Sequence, residues 1–290
     1  FRRGNIFIQL IYINVSIFII GTLINVFLQL FQHSIPDIFG IFALPASFIR
    51  FFHQPWSIIT YMFMHAGLLH ILFNMLWLYW FGSLFLHFFS AKHLRGLYIL
   101  GGILGGLLYM VAYNVFPLFN QEVAVSTLVG ASASVLAIVA ATAYREPNYR
   151  VQLFLFGAIR LKYLALVVIG IDVLSITSSN AGGHIAHLGG ALAGLWFAAS
   201  LSKGTDLTSW INWILDGFTS LFQKKTWKRK PKMKVHYGNS ATGREKDYDY
   251  NAHKKAQSDE VDRILEKLKK SGYDSLTTEE KKSLFDASKR

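Results

Sequence analysis

Apolar residues fall into long runs along this chain rather than into short alternations. Crossing the hydrocarbon of a bilayer takes about 20 mostly apolar residues. Six stretches read as spans: Ile6 to about Leu30, His65 to about Phe88, Leu94 to about Tyr113, Leu128 to Tyr144, about Leu161 to Ile176, and about Gly182 to Leu201. The fourth and fifth are the shortest. The first is too long for a signal-peptide core and no small-residue cleavage site follows it. The opening Phe1, in place of Met, suggests a trimmed start. The pattern predicts an all-α polytopic membrane protein, a bundle of six helices.

Between and after the runs the pattern changes character. The 31–64 loop is long and greasy, with Phe39, Phe42, Phe48, Phe51, Phe52, Trp56 and Tyr61. Aromatic rings favour the membrane–water boundary, so this loop is expected to lie in the interface. Over 208–222, Trp210, Ile211, Trp213, Ile214, Phe218 and Leu221 recur at helical spacing, and seven Lys or Arg follow within 224–234. That is the signature of an interfacial helix with a polybasic anchor for anionic lipid headgroups. Residues 235–256 are polar and read as a linker. Beyond them Val261, Ile264, Leu265 and Leu268 make an apolar stripe, Gly272 can end that helix, and Thr277 with Glu280 resembles a capping box for a second. The expected organisation is a six-span domain over 1–202, an interfacial and polybasic segment over 203–234, a linker over 235–256, and a small cytoplasmic helical module over 257–290. The module's residues carry no catalytic pattern and name no cytoplasmic partner, so it reads as a docking or regulatory element.

Composition supports the membrane reading. The chain is 52% hydrophobic and only 16% charged, with a mean hydropathy of +0.34, whereas soluble proteins average about 25% charged. Residues 1–202 hold 9 of the 29 Lys+Arg and 4 of the 17 Asp+Glu. The basic balance therefore belongs to segments flanking spans, where lipid headgroups account for it better than nucleic acid does. Without cysteine there are no disulfides, no thiol catalysis and no Cys-ligated zinc. Short-loop charges set orientation. Lys92 and Arg95 flank one connection and Arg145, Arg150, Arg160 and Lys162 another, whereas 114–127 and 177–181 have none. Both termini are thus expected in the cytoplasm.

Strongly polar side chains at membrane depth are costly and usually functional. Ser132 is about 5 residues below the outer end of its span, roughly 7 Å at 1.5 Å per residue. His187 is about 6 residues below the outer end of the last span, and His70 and Asn74 lie at about 6 to 10 in the second, counted at the same rise. An imidazole can take the serine proton during attack and return it to the leaving group. Asn74 and His70, i and i+4 on one helix face, can supply donors to an oxyanion. Gly130, Ala131 and Ala133 around the serine, and Gly189, Gly190 and Gly194 after the histidine, allow close helix approach. Each feature alone is equally a packing element. Ser134, two residues on and roughly 200° around the helix, should face away.

These residues resemble a family pattern. His65-Ala-Gly-Leu-Leu-His70-Ile-Leu-Phe-Asn74 is similar to the HxxxN motif of rhomboid intramembrane serine proteases. Gly130-Ala131-Ser132-Ala133 is similar to their GxSx motif, and Ala186-His187-Leu-Gly-Gly190 with Gly194 to their AHxxGxxxG motif. The resemblance covers roughly residues 5–202, in the right order and spans. It implies a Ser132–His187 dyad with no carboxylate third member. It further implies an oxyanion site from the Ser132 amide, His70 and Asn74, hydrolysis of transmembrane substrates, no cofactor or metal, and a bacterial inner-membrane setting. The glycine register selects His187 over His184, which is left as a water or substrate contact. Departures are Ala133, Leu136 where an aromatic often stacks on the histidine, and Trp56-Ser57 in place of a Trp-Arg pair. These departures keep open a silent relative that binds or escorts membrane clients. Asp172 tempts one to complete a triad, but a backbone amide or water is expected to satisfy it.

Overall fold

The computed structural model describes residues 6–31, 38–153, 157–222 and 242–288. In chain order the helices are α1 Ile6–Leu30, α2 Ile38–Phe42, α3 Phe48–His53, α4 Ser57–Thr60, α5 Leu68–Phe85, α6 Ala91–Val115, α7 Ser132–Arg145, α8 Leu161–Leu174, α9 Ala181–Ser202, α10 Ser209–Phe222, α11 Thr242–Ser271 and α12 Thr278–Ser288. The chain divides into two units, Phe1–Lys224 and Lys225–Arg290.

Within the first unit, α1, α5, α6 and α9 are 25, 18, 25 and 22 residues long and apolar enough to cross a membrane. The protein is an all-α integral membrane protein. Runs four and five become helices of only 14 residues, α7 and α8, about 21 Å each against a hydrocarbon core of about 30 Å. For α7 the cause is local. Gly130 has φ +131, outside any helical conformation, and the helix starts two residues later at Ser132. Every residue from Ala133 to Ala143 is buried, so α7 is sheathed by other helices and need not meet lipid along its own length. The expected position of Ser132, five residues inside a helix that begins at Leu128, is therefore corrected: Ser132 is the first helical residue.

Small residues set the spacing of the core. α7 packs against both α6 and α9, and a Cβ added at Gly190 or Gly194 would collide with the carbonyl oxygens of Ala133 and Ala137. Helix backbones meet there without side chains between them, the close approach that Gly-x-x-x-Gly spacing permits. Asn14 and Tyr98, buried inside this core, are paired. Asn14 donates to the Leu10 carbonyl at 2.8 Å and to the Tyr98 hydroxyl at 3.1 Å, and Tyr98 in turn donates to the Met62 carbonyl at 3.1 Å.

The 31–64 loop, over its described part, is folded and tied down. A two-residue strand β1, Leu44–Pro45, pairs antiparallel with β2, Thr127–Leu128. The Ala46 amide donates to the Ser126 carbonyl at 3.0 Å and Gly130 to that of Tyr61 at 2.9 Å. Arg50 donates to the Ala124 carbonyl at 3.1 Å, and the Trp56 indole to that of Ile41 at 3.0 Å. With Trp56-Ser57 in place of a Trp-Arg pair, backbone pairing and Arg50 tie this loop down. A second hairpin, β3 Arg150–Leu153 with β4 Gly157–Arg160, lies in the basic connection.

Amphipathic α10 lies against the start of α6. Asp216 accepts from Arg95 at 2.7 Å and from Lys92 at 3.1 Å, and Asn212 accepts from Arg95 at 2.9 Å. Trp210, Trp213, Ile214 and Phe218 remain exposed. The polybasic stretch 224–234 lies outside the described residues.

In the second unit α11 begins at Thr242, inside the stretch read as linker, so 242–256 is helical. Residues 250–256 of it are exposed. α11 ends at Gly272, φ +74, and buries Ile264 against the second helix with Leu276. The Thr277 hydroxyl accepts from the Glu280 amide at 3.2 Å while Glu280 accepts from the Thr277 amide at 2.8 Å, a reciprocal capping box. Lys267 reaches Glu280 at 2.8 Å.

Candidate active site

Ser132, Asn74 and His187 line one cavity of about 180 Å³, together with Phe73, Trp77, Val135, Leu136 and Val168. Four helices contribute. α5 brings Asn74, α7 the serine at its N-terminus, α9 the histidine, and α8 one apolar wall.

Ser132 owes its position to Gly130. At φ +131 a side chain would be strained, and a Cβ there would also sit 2.9 Å from the His70 Nε2 and 3.6 Å from the Ser132 Oγ. His70 and the serine hydroxyl therefore face each other across a bare glycine. Because α7 starts at Ser132, the amides of its first turn have no carbonyl four residues back to bond and carry the positive end of the helix dipole.

Hydrogen bonds fix which nitrogen of each ring is protonated. The Ala66 amide donates to His70 Nδ1 at 3.3 Å, so the neutral ring carries its proton on Nε2, the atom beside Gly130. Asn74 donates to the His70 carbonyl at 2.8 Å, which uses one amide hydrogen and leaves the other. Asp172 Oδ1 lies 2.8 Å from Nδ1 of both His184 and His187. An ionised carboxylate only accepts; both rings must then donate from Nδ1, and His187 keeps Nε2 as an acceptor. Among the described residues no hydrogen bond joins Ser132 Oγ to His187.

The four residues singled out from the sequence thus come together. Asp172 does not meet the expectation set for it: two imidazoles, rather than a backbone amide or water, satisfy Oδ1, and His184 is the second of them. The spacing of His184 and His187, one helical turn apart on α9, was the available signal. What it lacked was the rotation of α8, which packing decides.

Asp172, His184 and His187 also bring ligand-type atoms within 4.8 Å of one another. Ligand atoms around a tetrahedral zinc at about 2.0–2.1 Å stand roughly 3.3 Å apart. The two 2.8 Å contacts are those of hydrogen bonds instead.

Comparison with known proteins places the chain in a family. The Rhomboid domain matches residues 53–204, a span that contains His70, Asn74, Ser132, Asp172 and His187. Residues 244–290, the helical pair, match a family of unknown function, DUF6576. The chain is 29% identical over 157 residues to the mitochondrial RHOMBOID-like protein 12 of Arabidopsis thaliana, covering 51% of this chain and 47% of that protein. It is 30% identical over 139 residues to the mitochondrial Presenilin-associated rhomboid-like protein A of Danio rerio, covering 47% and 34%. It therefore spans about half or less of the length of these relatives. With a family match over more than half its length, and with Ser132, His187 and Asn74 gathered at one cavity, this chain belongs to the rhomboid family.

Proposed function

We propose that this rhomboid is an intramembrane serine endopeptidase that hydrolyses peptide bonds in or beside the transmembrane helices of other membrane proteins. The observation that carries the reading is the shared cavity of Ser132, His187 and Asn74, with His187 Nδ1 already bonded and Nε2 left as the acceptor. Ser132 Oγ attacks the scissile carbonyl as its proton passes to His187 Nε2, and a C–O bond forms. Negative charge on the carbonyl oxygen meets the Ser132 amide, the His70 Nε2–H and the second Asn74 hydrogen. The proton then moves from His187 to the leaving nitrogen, the C–N bond breaks, and water hydrolyses the acyl-enzyme by the same route. Apolar walls from Phe73 and Trp77 on α5 and Val168 on α8 suit a helical substrate arriving from lipid. An open separation of nucleophile and base is common in unliganded sites and tightens on binding.

In liposomes, wild type should release the soluble part of a single-span reporter, and Ser132→Ala should not; equal release from both would reject the reading. A second reading, a silent relative that holds membrane clients, draws on Leu136 at the position where an aromatic often stacks. It expects client capture unchanged in Ser132→Ala and no labelling of Ser132 by a serine-reactive phosphonate. We assign the Lys- and Arg-rich connections, and with them both termini, to the cytoplasmic side of a bacterial inner membrane, with 224–234 resting on anionic headgroups.

A further inference from the structure

α8 carries a single acid, Asp172. Its buried residues are Leu161, Ala165 and Asp172, which at 100° per residue fall within about 40° of one another on a single stripe. Leu166, Val167, Ile171 and Val173, on other faces, are exposed. α8 is thus turned so that its one acid, 3% exposed, meets α9. A carboxylate so placed costs several kcal/mol in lost hydration unless partners offset it. The partners here are two imidazoles converging on a single oxygen at 2.8 Å each. Oδ2 is buried with no hydrogen-bond partner among the described residues, so the carboxylate is aimed at the histidines and not shared with the backbone. Leu136 lines the cavity beside His187. An aliphatic side chain can press on an imidazole, but it cannot select which nitrogen holds the proton.

We propose that Asp172 is a positioning residue for the serine reaction: its carboxylate holds His187 with Nδ1 protonated and Nε2 turned toward Ser132, and His184 holds the carboxylate. This rests on the protease reading above. During attack the serine proton arrives on Nε2, the ring becomes an imidazolium, and its positive charge faces the Asp172 anion, which stays ionised throughout. When the proton passes to the leaving nitrogen the ring returns to its starting tautomer.

The test compares Asp172→Asn with wild type in reconstituted liposomes. Asparagine keeps the size, removes the charge, and can turn its NH₂ toward the ring, which would favour the wrong tautomer. We expect kcat to fall by about a hundredfold or more, toward the roughly 10⁴-fold loss known for a serine triad whose acid is made an amide, with KM within about threefold. A mere tie between α8 and α9 would instead lower thermal stability or raise KM and leave kcat near wild type; that outcome overturns the proposal. Where Asp172→Asn does not fold, ¹⁵N-histidine NMR of the folded Ser132→Ala protein decides. A His187 ring protonated at Nδ1 supports the assignment, and one protonated at Nε2 overturns it. Absence of any Ser132-dependent cleavage by wild type removes the protease reading, and the NMR result then judges the Asp172–His187 pairing by itself.

Discussion

At the scale of single residues, the site depends on which hydrogen each donor has left to give. Asn74 spends one amide hydrogen on the His70 carbonyl and presents the other to the cavity. Removing one oxyanion donor costs about a hundred- to a thousandfold in rate. Asn74→Ala should therefore lower kcat on that scale while KM stays close to wild type, as steady-state cleavage would show; an unchanged kcat would exclude Asn74 from the chemistry. His70 sets the lower end of the range, since its Nε2–H lies beside the same glycine. These residues were legible because their types and order are unusual inside apolar runs. Asp172 was not, because a lone carboxylate in a span has several ways of being satisfied and the sequence does not state how α8 is rotated. His184 was visible as an imidazole one turn from His187, yet its partner was the missing information.

Among the elements, the α7–α9 contact is the tightest joint. Gly190→Ala drives a methyl into the Ala133 carbonyl, backbone against backbone, and overpacking of this kind costs about 1–3 kcal/mol. A lowered unfolding midpoint in detergent is expected. Gly170→Ala on α8, where nothing lies within 4 Å of an added Cβ, serves as the neutral control. In the helical pair the coupling is electrostatic. The Lys267 ammonium, and then the Thr277 amide, hold the Glu280 carboxyl below its ordinary value of 4.5. A depressed carboxyl contributes stability above its unfolded value and loses it as pH falls through the folded one. Hydrogen-exchange protection at the start of α12 should accordingly be flat near neutrality and drop in acid below about 4.5, and Glu280→Gln should abolish that dependence. Element existence was readable from apolar runs and from the cap residues Gly272, Thr277 and Glu280. Element limits were less so. Hydrophobicity does not distinguish a non-helical approach, 127–130, from the helix it enters, nor a polar linker from the first part of α11.

For the whole molecule, apolar runs reported the bundle well because lipid permits few alternatives to helices with internally paired backbones. They reported span length poorly for α7, whose surroundings are protein rather than lipid. Charge placement repeats the division seen in the fold, with 6 of the 17 acids in the first unit and 11 in the shorter second, which is rich in both signs. One consequence follows from the small ladder of β1 on β2. Residues 44–46 and Tyr61 grip the chain on both sides of Leu128, so the segment that delivers Ser132 is splinted to the outer loop and not only to its own helix. Phe48, Phe52 and Trp56 of that loop are exposed, rings of the kind that favour a membrane–water boundary. Any displacement of that loop is handed through two backbone hydrogen bonds, Ala46 to the Ser126 carbonyl and Gly130 to that of Tyr61, to within two residues of Ser132.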